Sequence, residues 1–247
     1  MELFPGTDET LDTFRDRSLQ VLQKKKGYRF SVDTVLLSQF VRIRKNEKVV
    51  DLGTGCGILP LLLARTAKDC SFTGVEIQKE MAELARKNAL LNRLEDRIAI
   101  LQKDFRELRG DLPPGSFNVV VSNPPYRKYS TGRLNPLPEK SLARHEIKTT
   151  LEDLLSVASH LLSSKGRCYL IYPASRLVDL LFLSRKERLE PKRVQLVHSR
   201  MEEEAKFILL ESVKGSGAET KILKPLVLYG PGAQRAATDT KFPSGNL

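Results

Sequence analysis

The sequence predicts an α/β protein whose largely parallel sheet is covered by helices on both faces. Two observations carry that prediction. From residue 48 onward strand-like and helix-like segments alternate, and the strand-like runs, KVVDLG and FNVVVSN among them, are apolar almost throughout rather than at every second residue, the pattern of strands buried on both sides. The length of 247 residues fits one large core, since single cores stop growing near about 250–300 residues. The division expected is an N-terminal extension over 1–47, the α/β domain over 48–230 and a mobile tail over 231–247, where apolar side chains are few.

Ahead of the sheet, LQVLQKKKGYRFSVDTVLLSQFV suggests a short extended hairpin turning at Lys26-Gly27, then a helix from about Ser31. KVVDLG is a strand ending in glycine, ILPLLLAR a helix and SFTGVEI a second strand. QKEMAELARKNALLNRL sets Met81, Leu84, Ala85 and Leu91 along one face of an amphipathic helix. RIAILQKD and, after the breaker DLPPGS, FNVVVSN are the next strands. A capping-box pattern, Thr149-x-x-Glu152, opens a helix that carries Leu151, Leu154, Leu155, Ala158, Leu161 and Leu162 on one face and stops near Gly166. GRCYLIYP, RVQLVHSR and KFILLESVK are later strands. Residues 127–148 form 22 positions without usable periodicity, longer than the ~12–15 residues beyond which a structureless loop is functional or disordered.

The formal net charge is +11, and it is unevenly placed: residues 24–50 carry +6, 127–148 carry +4 and 185–200 carry +4, while 51–126 are neutral. Brought together, the basic stretches would form a polyanion-binding face flanking the site; taken singly, each is as readily a solvated surface. No apolar run is long enough to span a bilayer, and the acidic N-terminus does not read as a signal peptide. Three cysteines, Cys56, Cys70 and Cys168, are odd in number and lack C-x-x-C spacing, against a disulfide framework or a zinc site. A cytoplasmic protein without metal is expected.

The segment Asp51-Leu52-Gly53-Thr54-Gly55-Cys56-Gly57 follows a strand and opens a helix, and Glu76 ends the next strand 19 residues beyond Gly57. Glycines admit a ligand close to the main chain, and a carboxylate at that strand end can accept both hydroxyls of a ribose. The loop reads G-x-G-x-G with an acidic residue leading it, where a dinucleotide enzyme prefers G-x-G-x-x-G. S-adenosylmethionine, which has no phosphate, suits it; a nicotinamide dehydrogenase is the rival. Asp104 ends the third strand, placed to accept from the amine of a cofactor adenine with Phe105 beside the ring, or alternatively to cap a helix.

The fourth strand runs into Asn123-Pro124-Pro125-Tyr126. An aromatic amine such as adenine N6 is a poor nucleophile because its lone pair is delocalised. Acceptors at Asn123 Oδ1 and the Pro124 carbonyl, aimed at its two N–H groups, would draw the nitrogen toward tetrahedral geometry, and Tyr126 could stack on the base. The prolines stiffen the loop that carries these acceptors. A non-catalytic RNA-binding module would need only the basic face.

In order, DLGTGCG, GVEI, KDF and SNPPY resemble the amino-directed class I S-adenosylmethionine-dependent methyltransferases with an NPPY motif. GYRFSVDTVLLSQF and ARHEIKTTLEDLL are similar to segments of the tRNA1(Val) (adenine(37)-N6)-methyltransferase family, and the similarity runs from about Leu19 to Tyr229. The resemblance implies a Rossmann-like, seven-stranded sheet. It implies S-adenosylmethionine held by Asp51, Gly53, Gly55, Gly57, Glu76, Asp104 and Phe105, and a target base held by Asn123, Pro124, Pro125 and Tyr126. Phe30, Asp33 and Thr34 match loosely the segment that closes over the cofactor's methionine part, and equally suit a helix cap with core contacts. The implied partner is RNA, most simply tRNA near the anticodon, contacted through Lys24, Lys25, Lys26, Arg127, Lys128, Arg144 and His145, although His145 also suits a solvated loop. Enzymes that methylate a glutamine amide in a protein share the motif set but carry a helical domain before the glycine loop, for which the 50 residues ahead of Asp51 leave little room. Ribosomal RNA and DNA are the further alternatives.

Overall fold

The computed structural model describes residues 6–14, 19–26, 32–124 and 150–229. The loop expected over 127–148 and the tail expected over 231–247 lie outside them.

β1 (Glu9–Thr13) and β2 (Gln20–Lys24) form an antiparallel hairpin with Leu11 opposite Leu22, and α1 (Val32–Phe40) comes next. Strand and helix then alternate through β3 (Lys48–Leu52), α2 (Ile58–Thr66), β4 (Ser71–Glu76), α3 (Lys79–Leu91), β5 (Ile98–Gln102), the short α4 (Leu108–Asp111), β6 (Phe117–Ser122), α5 (Leu151–Leu161), β7 (Leu162–Pro173) and α6 (Leu177–Lys186). β8 (Leu189–His198), β9 (Ala205–Lys214), β10 (Lys221–Ile222) and β11 (Leu226–Val227) complete the described chain. The sheet order is β10-β8-β9-β7-β6-β3-β4-β5, with β11 also on β8. Every pairing in this sheet is parallel except those of β9, which is antiparallel to β7 and β8. Seven longer strands make the expected sheet, and the two-residue strands extend its β8 edge.

The chain winds from β3 through β4 to β5, then returns to the other side of β3 as β6 and continues to β7. Where the winding reverses, the carboxyl ends of β3 and β6 leave the crevice in which open α/β sheets bind ligands.

Neighbouring residues of a strand face opposite ways. Val49, Val119 and Val121 therefore join Leu37, Phe40, Leu59, Leu63 and Leu84 in one core, while Val50, Leu52 and Val120 join Leu154, Leu155, Ala158 and Leu180 in the other. That double burial is why these strands read as unbroken apolar runs. All three cysteines are buried and free.

Two local expectations are corrected, both at the ends of α5, and two elements, β1 and α6, go unmarked in the sequence. LQVLQK pairs backward with Glu9–Thr13, a segment whose mixed polar composition hides a strand; the turn expected at Lys26-Gly27 runs into residues outside the described ones. The capping box of α5 is Thr150 with Asp153, one residue later than Thr149 with Glu152: Asp153 N–H donates to Thr150 Oγ1 at 3.1 Å and Thr150 N–H returns to Asp153 Oδ2 at 2.9 Å. Both pairs have the same spacing, and Glu152 instead forms an ion pair with Lys186 of α6. α5 ends at Leu161 rather than near Gly166, and β7 starts at once and runs through that glycine. Finally, α6 leaves no periodic sign in the sequence, because Val178 and Phe182 on it are exposed and blur the apolar stripe.

The hairpin is fastened to α3 by two asparagines one turn apart. Asn88 Oδ1 accepts from Leu22 N–H at 2.7 Å and its Nδ2 donates to Leu22 O at 2.9 Å; Asn92 does the same for Gln20, at 3.0 and 2.7 Å. Four helical residues rise about 6 Å and two strand residues about 6.6 Å, so amides at i and i+4 can pair with strand positions two apart and stand in for a neighbouring strand. Asn88, fully buried at 0 % exposure, also donates to Cys56 O at 2.9 Å, which ties the hairpin to the glycine loop.

Candidate active site

β3 runs into the glycine loop at the reversal point of the sheet. Gly53, Gly55 and Gly57 have φ of 78°, 57° and 81°, values that side chains with a Cβ resist. The N–H groups of Gly53 and Thr54 both donate to Val75 O at 2.9 Å, so the loop is pinned to the end of β4. Behind it, a Cβ on Gly74 would lie 2.8 Å from Thr54 Cγ2 and 2.9 Å from Ile100 Cδ1. Only glycine lets the loop sit this close to the strand.

Glu76, the last residue of β4, is 7 % exposed. Its Oε2 accepts from Gly55 N–H and its Oε1 from Gln78 N–H, each at 2.9 Å. A carboxylate has about four acceptor positions, so this one is oriented with capacity left for a pair of hydroxyls. Next to it Ile77 is 40 % exposed, an apolar surface that sequence reasoning misses; its one signal is an isoleucine placed after the strand-end carboxylate.

Asp51 is 3 % exposed. Burial pushes its carboxyl up to about 7; the nearby Thr54 hydroxyl opposes the rise, and Glu76 adds to it. The position therefore favours an arriving cation. Cys56, in the same loop, is no nucleophile: burial pushes its thiol up to about 12.

Asp104 caps a short 3-10 turn, Phe105–Glu107, accepting from Arg106 N–H at 3.0 Å. Its carboxylate also pairs with the Arg106 guanidinium, Nε to Oδ2 at 2.9 Å. Burial works against its charge, but Arg106 outweighs it and holds the carboxyl below its usual range. Phe105 is half-buried against the core on the α5 side of the sheet.

At the end of β6, Ser122 Oγ donates to Leu52 O at 2.6 Å and stitches that end to β3. Asn123 comes next, and its Nδ2 donates to Thr34 Oγ1 at 2.9 Å. Thr34 and Asp33 are buried in the first turn of α1. Pro124 is half-buried beside Asn123. Phe30, Pro125, Tyr126, Arg127, Lys128, Arg144 and His145 lie outside the described residues.

Of the basic stretches expected to flank the mouth, 127–148 lies outside the described residues, and the described parts of the other two divide between opposite edges of the sheet. Lys24, at the end of β2, lies 3.4 Å from Glu80 in the first turn of α3, on the carboxyl side of the sheet, with Lys25 and Lys26 exposed beyond it. Arg42, Arg44, Lys45 and Lys48 lead into β3, and Arg185, Lys186 and Arg188 lead into β8, both at the opposite edge. Arg193 forms an ion pair with Glu211, Arg185 with Glu190 and Lys186 with Glu152. Strand direction, invisible in a charge sum, places them there.

Three carboxylates, a pinned glycine loop without a lysine or arginine, and an exposed apolar residue suit a nucleoside bearing a cationic tail better than a pyrophosphate. Residues 29–178 match the family model of the methyltransferase small domain. A tRNA1(Val) (adenine(37)-N6)-methyltransferase of Porphyromonas gingivalis is 34 % identical over 206 residues, covering 81 % of this chain and 80 % of that protein. The chain belongs to the methyltransferase small domain family, and within it to the tRNA1(Val) (adenine(37)-N6)-methyltransferases. Membership decides between the dehydrogenase and methyltransferase readings of the glycine loop. Among solved structures, a predicted O-methyltransferase from Agrobacterium tumefaciens superimposes with a TM-score of 0.69 at 24 % identity, over 83 % of this methyltransferase and 92 % of that chain. TYW2 of M. jannaschii, solved in complex with AdoMet, gives 0.59 at 14 % identity over 86 % and 89 %. Both show the methyltransferase fold.

Proposed function

We propose that this methyltransferase transfers a methyl group from S-adenosylmethionine to the N6 amine of an adenine in tRNA near the anticodon, the base that its relatives' name gives as adenine 37 of tRNA1(Val). The observation that carries the proposal is Asn123 and Pro124 at the end of β6, stitched through Ser122 to the strand that bears the glycine loop.

When bound, S-adenosylmethionine supplies an electrophilic methyl group on a sulfonium sulfur. Glu76, held by two main-chain N–H groups, would accept the ribose hydroxyls, Asp104 the adenine amine, and Asp51 would face the cationic tail. Asn123 Oδ1 and the Pro124 carbonyl would accept the two N–H groups of the target amine, localising its lone pair; Pro125 and Tyr126 would complete that pocket. No strong base is required, because the amine becomes strongly acidic on methylation. A loop base is already partly unstacked, which spares most of the few kcal/mol of base flipping. Lys24, Lys25 and Lys26, with Arg127, Lys128, Arg144 and His145, would contact phosphates.

The test is purified protein with labelled cofactor and tRNA lacking the modification. Label should appear as N6-methyladenosine, and Asn123→Ala should lower transfer by about 10²-fold or more while S-adenosylhomocysteine still binds. Label in a protein glutamine, in ribosomal RNA or in DNA, with tRNA unlabelled, would overturn the assignment.

A further inference from the structure

An asparagine amide can sit in its pocket either way round, and only one way serves. With Oδ1 toward the target amine, the amide accepts an N–H; reversed, it opposes one N–H with another and leaves both unsatisfied. The amide is held from α1 by the bond that Nδ2 donates to Thr34 Oγ1, 2.9 Å long. With Nδ2 on the hydroxyl, Oδ1 is the end of the amide turned away from Thr34.

We infer that Thr34 is a positioning residue for methyl transfer: the bond it accepts from Asn123 Nδ2 holds the plane of the amide in place, with Oδ1 toward the target amine. The inference rests on the proposed role of Asn123 and adds a partner to it. It differs from the reading in which Thr34 belongs to a segment that contacts the cofactor.

The helix that brings Thr34 into place is anchored far from the crevice. Phe40, at the other end of α1, stacks under the Arg193 guanidinium, 4.4 Å from its ring centre, and packs edge-on against Tyr169 of β7 at 6.1 Å. Arg193 Nη2 also donates to Phe40 O at 3.0 Å, while its Nε pairs with Glu211 of β9. These contacts pin α1 to β7, β8 and β9, so Thr34 meets Asn123 from a rigid element, as preorganised catalysis requires.

The experiment compares wild-type protein with Thr34→Val, Thr34→Ser, Asn123→Ala and the Thr34→Val/Asn123→Ala double variant, on tRNA lacking the modification. Valine keeps the shape and removes the acceptor. Thr34→Val should lower kcat by about tenfold or more, with the S-adenosylhomocysteine Kd within about twofold of wild type. Thr34→Ser should restore most of the rate, and in the Asn123→Ala background Thr34→Val should change nothing further. If Thr34→Val fails to fold, Thr34→Ala carries the same expectation. A Thr34→Val enzyme at full kcat, a defect abolished by saturating cofactor, or an equal further loss in the Asn123→Ala background would each overturn the inference. Wild-type protein that leaves adenine N6 unmethylated would overturn the functional proposal, and this inference with it.

Discussion

At the scale of single residues, Asp51 shows how a binding site is held at the expense of the fold. Its carboxyl is buried beside Glu76 and titrates near about 7 instead of 3.8. A carboxyl raised on folding binds its proton more tightly in the native state, so the protein loses stability as pH rises from 3.8 toward about 7, and the penalty is complete above that. Asp51→Asn should therefore raise the melting temperature of the cofactor-free protein, by an amount that grows across this window and levels off above it; melting curves from pH 4 to pH 8 check it. A cationic cofactor favours the ionised carboxylate, so S-adenosylmethionine affinity should strengthen as pH rises through about 7 in the wild type and stay flat in Asp51→Asn, as read by calorimetry. Asp51 is visible in the sequence because it leads the glycine loop. Its titration is not, because that depends on what closes over it.

At the scale of elements, α3 serves two neighbours. Met81, Leu84 and Ala85 pack into the core as their spacing predicts, and Asn88 occupies the same buried stripe as a polar group. Its place is explained by Leu22 and Cys56, whose main-chain groups it satisfies from 66 and 32 residues away. Asn88→Ala would leave the Leu22 N–H and carbonyl and the Cys56 carbonyl without this partner. At about 1–3 kcal/mol for each buried group left unmade, the loss should be on the order of 3 kcal/mol or more. Urea unfolding would measure it, and faster amide exchange at Leu22 would locate it. An asparagine in an apolar stripe is a signal that something polar is buried opposite, but the stripe does not name the partner. The hairpin is legible only as an extended segment, and its pairing is not, since Glu9–Thr13 carries no apolar alternation strong enough to mark a strand.

At the scale of the whole molecule, the described part of the positive surplus divides between two edges of the sheet. Of the described basic residues in the three stretches, Lys24, Lys25 and Lys26 stand on the side of the crevice, whereas Lys45, Lys48 and Arg188 stand opposite. If the proposed tRNA contacts are right, Lys25→Glu and Lys26→Glu should each reduce the salt dependence of tRNA binding by about one phosphate contact, while Lys45→Glu and Arg188→Glu leave it unchanged. Cofactor affinity should barely respond to salt. Filter binding across a salt series distinguishes these outcomes, and equal slopes for all four variants would return the charge to a general surface role. The amino-acid sequence by itself determined the alternation of strands and helices, the glycine loop, Glu76 and the place of Asn123-Pro124 after β6. Each depends on a few adjacent residues: valines buried on both faces, glycines at positive φ, a proline just past the end of a strand. Tertiary structure alone decided which way the basic stretches face, what β2 pairs with, and that Thr34 meets Asn123 across 89 residues, because strand order and direction determine which distant side chains share an edge.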